Sequence, residues 1–451
     1  MNDKLVKNAW IILFVYIFLV PFYYMRAGYG FSGLQIAVKY FPFFMIVFIS
    51  LYCINHIKSI TPSRLIIPKR NLIIYFLTGF FIFWQFATLT VNGFVLSDLY
   101  KLIYYSLTGV WISVIVVYQR FTPQGIFFFL STLTVLASLI SLHGLFVVVF
   151  RFDPLYELPM PFIPYDVMYG DAWYNRQWID RPMFTLGNPN YAGGLLSITL
   201  PIALGVARIE KSKVKKIIFK LIFLSIILGV IATYSRGAFV ASISVLILYL
   251  ILLSVFSEDS RVVHTSVLSY SLFAVAIFIF ANVFNGAGPL IRAYDRFLSL
   301  SNVFQTESHR WEQYAVVAQM VYENPFTGIG FGRYTSYSGT YYSEKILSYL
   351  SRTAENMYLM ILGETGILGL ITFLLVLYFT FKKLFVALRS TNERDLVISL
   401  ISSLFGAFVS MWTWDGLNQP TFRITFWFII GISWLVGDRI ISDKERIETG
   451  E

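Results

Sequence analysis

A few arginine and carboxylate side chains in this sequence have the surroundings needed to bind a phosphate and move a proton. The sharpest case is Thr233-Tyr234-Ser235-Arg236-Gly237-Ala238, at the centre of a 40-residue, largely apolar stretch from Ile217 to Phe256. A guanidinium offers parallel N–H donors that fit phosphate or carboxylate oxygens, and Ser235 and Gly237 leave backbone access around it. A helix beginning near Gly237 aims its N-terminal N–H groups at the same spot, a natural anion site. The plainer role for Arg236 is a salt bridge to a neighbouring helix. Glu355 and Asn356 stand where a polar segment enters another apolar run, and Glu355 is placed to act as a general base. Glu364 follows nine residues deeper, roughly 13 Å along a helix rising about 1.5 Å per residue. A carboxylate at that depth needs a partner inside the bundle, and Arg236 is the candidate.

More arginine lies between Gly286 and Ala354, where apolar runs stop for 69 residues. This stretch holds Arg292, Arg296, Arg310, Arg333 and Arg352 against a single lysine, Lys345, with aromatic residues interspersed. Arg292, Arg310, Arg333 and Arg352 are candidate ligands for an anionic, sugar-bearing substrate, and the aromatics either hold sugars or rest in lipid headgroups. Within the stretch, Thr306–Glu323 has the spacing of an amphipathic helix that stops before Asn324-Pro325. The glycines of Thr327-Gly328-Ile329-Gly330-Phe331-Gly332-Arg333-Tyr334 lack a preceding strand and dinucleotide spacing, so they read as a tight turn that places Arg333. A short helix is expected at about 343–350. Asn188 and Asn190, in Gly187-Asn188-Pro189-Asn190, either bind substrate hydroxyls or cap the helix that starts near Asn190. Asp415 and Arg423, in a polar hairpin, are expected to pair with each other.

These residues are carried by a membrane scaffold. The chain is 57% hydrophobic and 13% charged with mean hydropathy +0.68, whereas a soluble domain holds about 25% charged residues, so the composition is that of a polytopic, all-α integral membrane protein. At roughly 20 apolar residues per crossing, twelve helices are expected. They lie near 9–25, 36–55, 71–91, 99–118, 124–150, 190–207, 217–234, 238–256, 265–284, 357–381, 396–413 and 424–437. Residues 1–451 then form a single transmembrane domain with a first outer loop at 151–189 and a large, helical outer loop at 286–354, between the ninth and tenth spans. Lys4 and Lys7 precede the first apolar run, which reads as a retained anchor rather than a cleaved signal.

With both termini inside, 21 of the 35 basic residues fall on the inner side, as the positive-inside rule favours. The outer side then holds eleven arginines and only three lysines, a bias that anchoring alone does not require. The formal charge of +10 is accounted for by basic inner loops rather than by nucleic acid. Cys53 is the only cysteine, the acids of the first outer loop are not at metal-ligand spacing, and no phosphate-binding glycine loop of the nucleotide-hydrolase kind occurs. No cofactor, divalent metal or ATP is expected. His143 lies within a span and is read as making an interhelical hydrogen bond.

Four stretches together resemble the O-antigen polymerase/ligase superfamily. They are Asn188-Pro189-Asn190; Ser235-Arg236-Gly237-Ala238; Arg310-Trp311 followed by Asn324-Pro325-Phe326-Thr327-Gly328-Ile329-Gly330; and Glu355-Asn356-Met357-Tyr358-Leu359 with Glu364-Thr365-Gly366-Ile367-Leu368-Gly369. The resemblance covers about residues 185–375. It implies a GT-C-like glycosyltransferase at the outer (periplasmic) face of the bacterial inner membrane, with an undecaprenyl-diphosphate-linked glycan as donor. A polymerase passes the chain to another lipid-linked repeat unit, with a chain-length regulator as a possible partner; a ligase passes it to lipid A–core. The family's turn arginine matches Arg236 and its loop arginine matches Arg310. The ligase branch carries histidine where this sequence has Glu355, which favours the polymerase branch. A glycolipid flippase is the competing class, although most ionisable side chains gather at the outer surface rather than through the bilayer.

Overall fold

The computed structural model describes residues 72–119, 121–150, 188–257, 308–341, 353–391 and 393–449, with isolated positions at 48, 182, 184, 186 and between 267 and 279. Among the described residues all regular structure is helical. The helices are α1 (Leu72–Val91), α2 (Leu96–Lys101), α3 (Thr108–Gln119), α4 (Pro123–Phe150), α5 (Pro189–Ile209), α6 (Lys213–Ala232), α7 (Arg236–Phe256), α8 (Ser308–Glu323), α9 (Tyr334–Tyr341), α10 (Met357–Ser390), α11 (Arg394–Thr413) and α12 (Pro420–Thr449). A π-helical turn, Leu102–Leu107, joins α2 to α3. Eight stretches among the described residues are long and apolar enough to cross a membrane: α1, Leu96–Val117, α4, α5, α7, α10, α11 and most of α12. The chain is a polytopic helical membrane protein.

Nine of the twelve expected spans coincide with these helices. The expected spans 9–25, 36–55 and most of 265–284 lie outside the described residues, as do the expected helix at 343–350, Arg292 and Arg352. The apolar runs understate helix length at polar ends. The run 424–437 sits inside α12, and 357–381 inside α10, which continues through Lys382, Lys383 and Arg389. Backbone hydrogen bonds continue the helix where the apolar signal stops. α6 carries Lys213, Lys215, Lys216 and Lys220 in its first turns, and its remaining residues are mostly buried.

The chain divides into two compact units. The first comprises residues 1–49, 122–301 and 393–407. Its centre is α5, buried along nearly its whole length and packed by α4, α6 and α7. Small residues make that possible: a Cβ on Gly193 would lie 2.4 Å from the Cβ of Ala238 on α7. Ser197 donates to the carbonyl of Gly193 and meets the hydroxyl of Ser242 at 2.9 Å. Without a hydrophobic drive between helices in lipid, such close backbone approach and hydroxyl pairing hold the bundle. Ser138 and Ser225 pair likewise between α4 and α6, at 2.6 Å. At the C-terminal end of α5, Arg208 Nε donates to Asp395 at 2.7 Å.

The second unit comprises residues 50–121, 302–392 and 408–451. α10 is its spine, packed by α1, α8 and α12, with α3 against α12. Lys383 pairs with Asp438 and sits 4.1 Å over the ring of Trp434, so this buried charge is compensated. Arg423 is 1% exposed; it donates to the Leu417 carbonyl at 2.8 Å and lies over the rings of Tyr104 and Tyr105. The expected Asp415–Arg423 pair is therefore not formed. Asp415 instead accepts from Asn418 Nδ2 at 3.1 Å and from the hydroxyl of Thr353. The 3₁₀ turn Gly416–Asn418 between them turns carbonyls, rather than the carboxylate, toward the guanidinium.

Candidate functional site

In the first unit, the Asn-Pro-Asn stretch and the Ser-Arg-Gly-Ala turn are latched together. Asn188 has extended backbone, its Oδ1 accepts the Asn190 N–H at 2.8 Å, and Pro189 fills the first helical position of α5. Asn188 thus caps. Asn190 has a different role: its Oδ1 accepts the Ser235 hydroxyl at 2.9 Å. Ser235 in turn caps α7, its Oγ accepting the N–H of Ala238 at 3.4 Å, while Thr233 Oγ1 accepts the N–H of Ser235 at 3.1 Å. Tyr234, buried, takes a left-handed φ of 49°. For a non-glycine residue that backbone costs about 1–3 kcal/mol, so the surrounding bonds must enforce it. The result is a rigid turn with Arg236 as the first residue of α7, partly exposed and at the positive end of the helix dipole.

In the second unit the site is built along the contact of α8 with the start of α10. α10 is interrupted at Gly366, whose φ of 67° and ψ of −173° leave the helical region. An open break inside a membrane helix strands polar backbone that lipid cannot satisfy. The turn after α8 satisfies it: Ile329 N–H donates to Gly363 O at 3.1 Å, Gly330 N–H to Glu364 O at 2.9 Å, and Ile367 N–H to Pro325 O at 2.9 Å. Trp84 Nε1 from α1 takes the Thr365 carbonyl at 2.8 Å. Gly328 has a φ of 61° and lies so close to the break that a Cβ there would be 2.5 Å from the Glu364 carbonyl carbon. The Asn-Pro-Phe-Thr-Gly-Ile-Gly stretch is thus a plug for the Gly-Glu-Thr-Gly break.

Glu364 finds donors within its own unit. Its carboxylate, 5% exposed, accepts the N–H of Gly332 at 2.9 Å and that of Tyr334 at 3.0 Å. The physical reason is reach: the plug brings two backbone donors directly over the carboxylate. A Glu364→Gln exchange turns one acceptor into an N–H₂ facing an N–H, at a cost of about 1–3 kcal/mol. Purified protein should therefore show a lowered thermal midpoint, and an unchanged midpoint would dismiss this role. Arg333 is engaged in the same way. Its guanidinium donates to the carbonyls of Asn92 and Gly93, each at 2.6 Å, and pairs with Asp98, which also accepts the Val95 N–H ahead of α2. Its fork is filled from within the unit, so it anchors the plug to the α1–α2 connection.

Arg310 and Glu355 are brought together, and differently. Nε and Nη2 of Arg310 both donate to Glu355 Oε2, at 3.0 and 2.9 Å, with each side chain 25% exposed. Glu355 holds a φ of 47°, immediately before Asn356, which caps α10 by accepting the Leu359 N–H at 3.1 Å. Asn356 Nδ2 donates to the Trp412 carbonyl at 3.2 Å, so its amide is spent on positioning the residue before it. Sequence reasoning missed Asp415 as a neighbour of this pair. Burial pushes its carboxyl up, hydrogen bonds from Asn418 and Thr353 pull it down, and the charge of Glu355 raises it further. An acid just beyond Trp412-Thr413-Trp414 was the available signal, but its proximity to residue 355 is a tertiary fact. Arg352 and Arg292 lie outside the described residues.

Arg310 and Glu355 form an ion pair open to solvent, while Arg236 stands at the head of a capped helix. Donors of this kind suit phosphate, and a partly exposed carboxylate suits proton removal. Residues 221–374 match a family model described as O-antigen ligase, a stretch that contains Arg236, Arg310, Glu355, Asn356 and Glu364. No curated protein matches the chain. Residues 221–374 are thus similar to the O-antigen polymerase/ligase superfamily, a likeness that implies glycosyl transfer with lipid-linked glycans in general.

Proposed function

We propose that this protein is a GT-C-like membrane glycosyltransferase that polymerises undecaprenyl-diphosphate-linked repeat units into O-antigen or a related surface polysaccharide. The reaction takes place at the outer face of the inner membrane, with both termini inside. The Arg310–Glu355 pair carries this reading: it sets an anion ligand and a candidate base side by side, with glutamate where the ligase branch has histidine. A hydroxyl of the acceptor repeat unit attacks the anomeric carbon of the donor glycan. The carbon–oxygen bond to phosphate breaks, undecaprenyl diphosphate leaves with the bonding pair, and Glu355 takes the hydroxyl proton. Arg310 stabilises the charge that builds on the leaving phosphate, and Arg236, by its own turn, is a second candidate phosphate ligand. Arg292 and Arg352 in the outer loop supply further phosphate contacts, Asn188, Asn190 and Asn356 hold the turns that present the site, and Arg333 and Glu364 keep the plug in register. Membrane lipid surrounds the protein, and a chain-length regulator is a natural partner.

The description of the matched family favours a second reading, ligation of the finished glycan to lipid A–core. Purified protein in detergent with a lipid-linked oligosaccharide, with and without lipid A–core, separates the readings. Lengthened lipid-linked glycan is the expected product, undiminished by a metal chelator. Transfer only to lipid A–core would make it a ligase, and no covalent product would leave transport as the activity. Activity lost on chelation and regained on adding a divalent metal would overturn the metal-free mechanism.

A further inference from the structure

One buried polar side chain near the Arg310–Glu355 pair has no role in the mechanism above. Gln313 on α8 is 0% exposed, and among the described residues neither its Oε1 nor its Nε2 has a hydrogen-bond partner. A buried amide left unsatisfied is costly, and among the described residues of α8 and α10 Gln313 is the one such side chain, which calls for a functional partner. Its position is specific. Gln313 lies three residues after Arg310, so the two share one face of α8, with Cβ atoms about 5–6 Å apart. Further along that face, Val317 and Met320 reach Gly363 of α10: a Cβ there would be 3.3 and 3.0 Å from their side chains. Arg310 reaches Glu355 at the near end. Gln313 is therefore seated against α10 between residues 355 and 363, one helical turn from the ion pair.

As long as Arg310 holds Glu355, the anion ligand and the base neutralise each other. A diphosphate arriving at Arg310 competes with the carboxylate for the same Nε and Nη2 donors. The displaced carboxylate then needs a donor, because an unpaired charge in a partly buried site is strongly unfavourable. The left-handed φ of 47° at Glu355 shows that its resting conformation is imposed by its surroundings. Of the charged groups near Glu355 among the described residues, Arg310 from α8 pairs with it and Asp415 from the α11–α12 connection repels it.

We propose that Gln313 is a positioning residue for Glu355: when the donor's diphosphate takes over Arg310, the freed carboxylate accepts an N–H from Gln313 Nε2 and is held there as the base. This rests on the glycosyl-transfer reading above.

The test is Gln313→Met, which keeps the side-chain length and removes the amide, assayed in purified protein with lipid-linked oligosaccharide. Its thermal midpoint should equal or exceed the wild type's, because an orphaned amide has been removed from the interior. Turnover should fall about ten- to a hundredfold, the worth of one hydrogen bond to a charged group, with the donor KM within about twofold. Glu355→Gln combined with Gln313→Met should lose no more than Glu355→Gln alone.

Wild-type turnover in Gln313→Met, multiplying losses in the double variant, or a loss that tracks a lowered midpoint would each overturn the proposal. Failure of Gln313→Met to fold would do the same, since it would show that the amide has a structural partner at rest. Absence of any turnover by the wild-type protein would instead refute the glycosyl-transfer reading itself, and this inference with it.

Discussion

Glu355→Gln is expected to lower turnover by about two to four orders of magnitude, the usual contribution of a general base. The substitution keeps the shape and the oxygen that Arg310 reaches but cannot take a proton. Stability should hardly change. The pair is a quarter exposed on both sides, where ion pairs contribute little, and the helix is capped by Asn356 rather than by Glu355. Initial rates of glycan lengthening by purified protein, with the thermal midpoint measured beside them, decide the matter. Unchanged turnover would remove Glu355 from the chemistry.

Arg236→Lys is the second large effect. Lysine keeps the positive charge at the head of α7 but replaces a planar fork with a point charge, so phosphate loses its paired hydrogen bonds as charge builds on it. The loss of one such donor in comparable sites costs about 10²–10³ in turnover. The fold should tolerate the change, because hydrogen bonds of Ser235, Asn190 and Thr233 hold the turn and lysine keeps the charge. Cells carrying the variant should accumulate the protein normally and show almost no polymer, as read from the glycan ladder beside an immunoblot. Near-normal chain length would sink the assignment of Arg236.

The roles of the other candidates follow from how locally each is specified. Asn188 was legible as a candidate cap because an N-cap bonds to a backbone N–H two or three residues ahead, within the same short string of sequence; Ser235 and Asn356, read in the sequence for other roles, cap in the same local way. The amphipathic stretch ending at Glu323 was legible for a similar reason: its period and its Asn324-Pro325 stop are local. Glu364 and Asp415 were not. Their expected partners were arginines chosen by charge, whereas the folded chain supplied backbone donors to one and Asn418 with Thr353 to the other. A carboxylate is satisfied by whichever donors lie within about 3 Å, and sequence distance does not order them.

By itself, then, the sequence determined the solvent class and the chemistry on offer. Apolar run lengths are set by bilayer thickness and caps by neighbouring residues, and arginine in place of lysine puts forked donors on offer. Only the tertiary structure decided which charges meet. It put Arg310 on Glu355, spent Arg333 on Asp98 and two carbonyls, and filled the Gly366 break with the Asn324–Gly330 turn. It also left the amide of Gln313 buried one turn from the ion pair. Those pairings depend on the register of α8 against α10, which is fixed by close packing between segments far apart in the chain, and no local string of residues encodes it.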